Sequence, residues 1–216
     1  MLFYTFMQKL RMRKIVLLML VILPFALHAQ RFNGGLLAGG LVSQVDGDNS
    51  AGYNKFGYLA GGFVSLRISP RSSFQLEMEY IQKGARQNAD TLTNTGTTYL
   101  TRLHYLEIPL LYQFTFANRF QAEAGPAADV LLGSYVTVNG LESAVTVPFR
   151  TVSLSGIAGF SGFITDHLKA GLRVNYSLMS IREGWVYGAR KILFETGQYN
   201  NVLSLSLSWY FKPRDF

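Results

Sequence analysis

The chain predicts an all-β protein: an eight-stranded antiparallel up-and-down transmembrane β-barrel. Three observations carry that expectation. After residue 30, alternating stretches are joined by connections that run long, short, long, short, long, short, long. Within the stretches, apolar and polar side chains alternate with the period of two that sends successive strand residues to opposite faces. No apolar run of about eighteen residues comes after residue 30, so a bilayer could be crossed only by strands.

The first thirty residues are set aside. Lys9, Arg11, Arg13 and Lys14 precede an apolar run from Ile15 to Leu27 that ends at the small residue Ala29. This is the plan of a secretory signal peptide, residues 1-29, with cleavage expected after Ala29. As a helix the run rises only about 20 Å, short of the roughly 30 Å hydrocarbon core. Met7 and Met12 are alternative starts, since either leaves positive charge ahead of the apolar run.

The remainder, 30-216, reads as one barrel domain. The full chain has 20 basic and 13 acidic residues. Without the four basic residues of the leader, sixteen face thirteen, a net charge of +3. The high overall pI therefore overstates the basicity. No cluster of Lys and Arg interleaved with aromatics remains to track phosphates, so nucleic acid is not expected as a partner. The absence of cysteine excludes disulfides, thiolate metal sites and lipidation at an N-terminal cysteine.

Eight strands are expected at 34-45, 55-67, 73-83, 98-116, 120-134, 151-164, 168-182 and 199-211. The long connections are 46-54, 84-98, 135-150 and 183-198. The short ones centre on Ser69-Pro70-Arg71, Ala117-Asn118-Arg119 and Thr165-Asp166-His167. Short turns are expected in the periplasm and long loops outside. Leu37-Ala38-Gly39-Gly40-Leu41-Val42-Ser43 and Leu59-Ala60-Gly61-Gly62-Phe63-Val64-Ser65 are near copies on adjacent strands. Their glycines resemble a phosphate-binding loop only superficially: no helix start comes after them and no Lys-Ser/Thr pair closes the motif. Relief of curvature or room for a bulky interior side chain is the expected role.

On the third strand Phe74, Leu76, Met78 and Tyr80 share one face against Gln75, Glu77 and Glu79. On the fourth, Leu106, Ile108, Leu110, Tyr112, Phe114 and Phe116 oppose Glu107, Pro109, Leu111, Gln113 and Thr115. The seventh and eighth strands repeat the pattern, Leu172 and Val174 against Arg173, and Leu205 and Leu207 against Ser204 and Ser206. A soluble sandwich or a lipocalin alternates too. Sorting of aromatics by height favours the membrane. Phe74, Phe114, Phe116, Phe120, Trp209 and Phe211 lie near the short turns, and Tyr58, Tyr80 and Tyr176 toward the other end. Such belts suit the two headgroup boundaries.

Eight strands enclose a lumen that their own side chains fill. Parity places Arg67, Glu77, Glu79, Glu107, Glu123, Asp129, Lys169 and Arg173 inside, where acids and bases are expected to neutralise each other as a plug. Five acids against three bases leave a negative excess, so any leak should prefer cations. Of the three histidines, His28 belongs to the leader, while His104 and His167 fall at opposite ends and cannot share a metal or a triad. Small outer-membrane enzymes that modify lipid A use a Ser/His/acid arrangement at the rim; His104 is the one candidate, and no serine accompanies it in sequence. No catalytic, cofactor-binding or metal residues are therefore assigned, no cofactor is expected, and the protein is not expected to be an enzyme. Asp46, Asp48 and Asn49 in the first loop lack the ligand number and spacing of an EF-hand. The loop at 183-198 brings Trp185, Tyr187, Arg190, Lys191 and Phe194, a basic and aromatic set suited to anionic lipopolysaccharide or a partner protein, or merely to tall strands above the membrane.

Several strings resemble the PorT-like small outer-membrane β-barrels of Gram-negative bacteria over residues 31-211. They are Leu76-Glu77-Met78-Glu79-Tyr80 with Lys83-Gly84, Tyr105-Leu106-Glu107-Ile108-Pro109-Leu110-Leu111, Ala124-Gly125-Pro126, and Asn201-Val202-Leu203-Ser204-Leu205. The second is the most specific. The resemblance implies an eight-stranded barrel in the cell outer membrane with no cofactor, surrounded by lipid and lipopolysaccharide and inserted by the barrel-assembly machinery, either as a monomer or as part of a complex. Some members of that family are linked to protein secretion, which makes an envelope protein an expected partner. The expected function is a non-enzymatic structural or partner-binding component of the envelope; a small pore or a lipid A-modifying enzyme is the alternative. The last aromatic strand ends at Phe211 with Lys212 to Phe216 beyond it, so either Phe211 or Phe216 is the residue that assembly machinery would read.

Overall fold

Three tight turns organise the chain. Ala117 and Asn118 both take positive φ, 47° and 61°, the mirror-image turn whose twist suits the two flanking strands. Thr165 Oγ1 accepts from the backbone N–H of His167 and Leu168. The backbone of Ser69 and Ser72 closes the third turn. Each turn sends the chain straight back beside itself, so consecutive strands pair antiparallel.

The structure, a computed structural model, describes residues 32–48, 52–88, 96–145, 147–182, 188–192 and 195–213. Its strands are β1 (Phe32–Asp46), β2 (Lys55–Arg67), β3 (Ser72–Gln87), β4 (Tyr99–Phe116), β5 (Phe120–Val138), β6 (Leu141–Glu142), β7 (Val152–Phe163), β8 (Leu168–Ser177), β9 (Arg190–Ile192), β10 (Glu195–Gly197) and β11 (Tyr199–Tyr210). Eight of them form a closed ring in the order β1-β2-β3-β4-β5-β7-β8-β11. The seam joins first strand to last, from Gly35↔Tyr210 to Asp46↔Tyr199. Closure leaves no unpaired sheet edge. The expected leader, residues 1-29, lies outside the described residues.

The alternation resolves as expected. Leu76, Met78, Leu110, Leu172, Leu205 and Leu207 face outward, while Gln75, Glu77, Glu107, Arg173, Ser204 and Ser206 are buried inside. The interior is not uniformly polar: Leu37 and Leu41 of β1 and Leu59 and Phe63 of β2 pack against Ile81, Leu103 and Tyr105. The repeated glycines bring strands close together. A Cβ on Gly39 would lie 2.3 Å from the Leu205 carbonyl oxygen, and one on Gly61 2.3 Å from that of Met78.

Boundaries differ from the expected ones where the strands rise above the wall. β3 continues to Gln87 through Gly84 at φ 138°, a backbone conformation that favours glycine. β5 continues to Val138 after its register against β4 shifts between His104 and Tyr105. The shift inserts Leu132 and reverses the parity of the residues beyond it, so Tyr135 points outward and Val136 inward. The seventh expected segment, 168-182, stops pairing as β8 at Ser177, and the expected loop 183-198 contains the β9–β10 hairpin.

Leu205, 63% exposed at the middle of β11, marks the centre of the outer wall. Leu205→Lys should cost about 2–4 kcal/mol of stability in lipid vesicles, and Leu36→Lys near the barrel end about 0–1 kcal/mol. Urea unfolding followed by tryptophan fluorescence checks this; equal costs at the two heights would show that Leu205 does not face the hydrocarbon.

Candidate functional site

The interior charges form two groups. In the first, Arg173 donates from Nη1 and Nη2 to the Glu77 carboxylate at 2.7 Å each and from Nε to Glu123 at 2.6 Å. Gln113 Nε2 donates to Glu123 and to Gln75, and Lys169 Nζ stands 3.9 Å from Glu123. In the second, Lys83 Nζ pairs with Glu107 and, at 2.9 Å, with Asp129. Asn175 Nδ2 donates to both Glu107 oxygens at 2.9 and 2.8 Å. Burying an ion costs several kcal/mol unless it is paired and hydrogen-bonded, and these residues supply the pairing.

Most of the interior residues expected from parity fall in these groups. Arg67 instead sits half-buried at the short-turn end, donating to the Ser69 and Pro70 carbonyls. Lys83, the last residue of the expected third strand, shares the inward parity of Glu77 and Glu79 and takes the place of Arg67, so this set stays at five acids against three bases. The negative excess is unchanged. Glu79, Glu107 and Asp129 lie directly opposite one another across β3, β4 and β5. Lys83 serves the last two, and Glu79 has no cation partner among the described residues.

The two histidines hold aromatic rows rather than a reaction centre. His104 Nδ1 lies 2.5 Å from Tyr80 Oη, and its ring meets Tyr135 edge-on at 5.5 Å. With Tyr58 5.5 Å from Tyr80, a row runs across β2 to β5. His104 and Tyr135 are additions to the expected upper belt; the parity reversal on β5 conceals Tyr135, while His104 shares the parity of Leu106 and Ile108. At the other end His167 stacks on Trp209 at 5.3 Å, and its Nδ1 is 2.8 Å from the Tyr210 carbonyl. Among the described residues no group of three or more His, Asp or Glu could hold a metal.

The long-loop end is built around Arg182. Its guanidinium lies over the Phe149 ring at 3.7 Å, donates from Nε to Gln198 Oε1 at 3.1 Å, and donates from Nη1 to the Val147 carbonyl. Gln198 Nε2 in turn reaches the Gly47 carbonyl at 3.1 Å, and Arg150 pairs with Glu195 at 3.4 Å. Burial holds Arg182 below the ordinary guanidinium pKa. A groove of about 230 Å3 opens beside it, lined by Tyr99, Val136, Val138, Ser143, Val145 and Val147. Arg190 and Lys191 of the expected last loop lie on β9. Trp185, Tyr187 and Phe194, like Asn49 of the first loop, lie outside the described residues. Asp46 is engaged by Tyr176 Oη at 2.8 Å and Gln44 Nε2 at 3.0 Å. The hub role of Arg182 is not legible in the sequence, since Val147 and Phe149 come from one connection, Gln198 from a second, and Gly47, joined through Gln198, from a third.

A family model described as outer membrane protein beta-barrel domain matches residues 28–183. In three dimensions the chain is similar to the crystal structure of Neisserial surface protein A, with 13% identity and a TM-score of 0.51 over 82% of this chain and 97% of that one. It is also similar to Ail, the attachment invasion locus protein of Yersinia pestis, with 11% identity and a TM-score of 0.49 over 83% and 98% of the two chains. A third likeness is to OprG from Pseudomonas aeruginosa, with 13% identity and a TM-score of 0.35 over 83% and 94%. At these identities the likeness concerns the fold. No curated protein matches the sequence.

The interior arrangement separates two acids that look alike in sequence. Lys83→Met strands two carboxylates and should destabilise the barrel by about 3–5 kcal/mol. Glu79→Gln removes a like charge opposite Glu107 and should be neutral or stabilising. Equilibrium unfolding in detergent micelles compares them; a large loss from Glu79→Gln would mean that Glu79 is a required ion partner.

Proposed function

The chain belongs to the outer membrane protein beta-barrel domain family and lies in the cell outer membrane, and from that premise we propose that it is a non-enzymatic envelope component that presents its long-loop end to a protein partner. One observation carries this reading. β4 and β5 run 18 and 19 residues, whereas about 9–11 tilted residues cross a bilayer. The surplus lines a groove together with Arg182, which Gln198 and Arg150 hold in place. A wall that only filled the membrane would have no use for it.

The ion-paired interior favours this over a pore, and the engagement of His104 by Tyr80 and Tyr135 favours it over a lipid A-modifying enzyme. The string Tyr105 to Leu111 and the Lys83-Gly84 pair support placement among the PorT-like members, with a link to protein secretion as the pathway that a partner would reveal. Residues 1-29 direct export, the barrel-assembly machinery inserts the barrel, and the long loops face outward.

Affinity purification from outer membranes should recover a stoichiometric protein partner, lost when residues 141–150 are replaced by a Gly/Ser linker. Recovery of the barrel alone, in wild type and replacement alike, would leave it a free-standing wall protein. Planar-bilayer recordings should show no stable conductance steps, and the lipid A mass spectrum should not change on deletion; either change would favour the alternative. Intact-mass measurement should place the mature N-terminus at Gln30.

A further inference from the structure

Directly above the Tyr58–Tyr80–His104–Tyr135 row, the outer face of the wall becomes cationic. Arg86 on β3 and Arg102 on β4 are both exposed. Register places Arg102 opposite Gly84 and Arg86 opposite Leu100, so the arginines are diagonal neighbours on one face, with backbones roughly 7–8 Å apart. Gly84 carries no side chain, and its φ of 138° disfavours one. The position across from Arg102 therefore carries no side chain of its own and is covered by the Lys55 stem, whose Cδ would lie 3.1 Å from a Gly84 Cβ. Behind it, Lys55 Nζ bonds the Gln82 carbonyl at 3.1 Å and Gln82 Oε1 at 3.4 Å.

Nothing acidic among the described residues pairs with this cluster. Asp46 is held by Tyr176 and Gln44, with Tyr176 on β8, across the barrel seam. Glu195 is paired with Arg150. Glu142 on β6 lies two strands beyond β4, a separation of roughly 10 Å. Among the described residues the positive charge of this part of the rim has no ion-pair partner.

Below the arginines the same face continues as Tyr80, Met78 and Leu76 on β3 and His104, Leu106 and Ile108 on β4. A forked cation donor sits at headgroup height with an apolar wall beneath it. Guanidinium pairs bind phosphate bidentately, and basic groups at membrane boundaries recognise charged headgroups. A soluble anion would need only the upper half of this arrangement.

We propose that Arg86 and Arg102, backed by Lys55, form a binding site for the phosphate of an outer-leaflet lipid whose acyl chains lie along the β3–β4 wall. The inference rests on placement in the outer membrane and not on the protein-partner reading, so either can fail alone.

The test uses the folded mature protein in detergent micelles, with bound lipid counted by native mass spectrometry. The probes are phosphorylated lipid A, the same lipid after phosphatase treatment, and inorganic phosphate. Wild type should retain the phosphorylated lipid at least tenfold more strongly than the dephosphorylated one. Arg86→Gln/Arg102→Gln should abolish that difference, while Arg190→Gln/Lys191→Gln on the β9–β10 hairpin should keep it. Equal retention of the two lipids by wild type overturns the site, and this arm needs no variant to fold. A preserved difference in the Arg86/Arg102 variant, or an equal loss in the hairpin variant, overturns the residue assignment. Displacement of the lipid by millimolar inorganic phosphate would make the site one for free phosphate rather than lipid.

Discussion

In hydrocarbon no water is available to a backbone N–H or C=O, so every such group along the wall must find its partner within the sheet. Ring closure by β1 and β11 is the form that this constraint takes here. Once eight strands close, the lumen is narrow and must be filled by side chains. The close approach of Gly39 to Leu205 and of Gly61 to Met78 belongs to the same curvature. The outward Leu and Phe residues, which in water would be a liability, become the matching surface for lipid.

Filling the lumen is a problem of opposites. β1 and β2 contribute aliphatic and aromatic bulk, including Leu41, Leu59 and Phe63, while β3, β4, β5 and β8 contribute most of the ions. Buried ions are costly singly and tolerable in pairs, which explains why Arg173 and Lys83 each serve two carboxylates. Such an interior fixes which strand faces which, because a register slip of one residue would put an Arg into lipid and a Leu beside a carboxylate. It also leaves little freedom for transport through the centre. Specific activity is thereby displaced to the ends and the outer rim.

The two features not required by spanning are both at the long-loop end. The first is the ledge assembled around Arg182, in which Phe149 and Val147 from one connection, Gln198 from a second and Gly47 from a third converge. The second is the uneven charge of the rim, basic over β3 and β4 and neutralised or acidic near Asp46. Neither improves the burial of backbone in lipid. Both are the kind of surface on which a generic barrel wall can carry a particular task.

The alternation of Leu203 to Phe211 and of Leu106 to Phe116, the tight turns and the height-sorted aromatics fixed the strand number, the closure and the outward face from sequence alone. A period of two is a local property that survives without knowledge of any partner strand. What tertiary structure decided depended on pairing between distant segments. The bulge opposite His104 and Tyr105 reversed the parity of β5 and carried Tyr135 into the upper aromatic row. The continuation of β3 past Gly84 raised Arg86 beside Arg102, and pairing across the strands set Lys83 between Glu107 and Asp129. Arg182 became a hub only when three connections met around it. Register and loop convergence are set by contacts across the ring, and a linear pattern holds no measure of them.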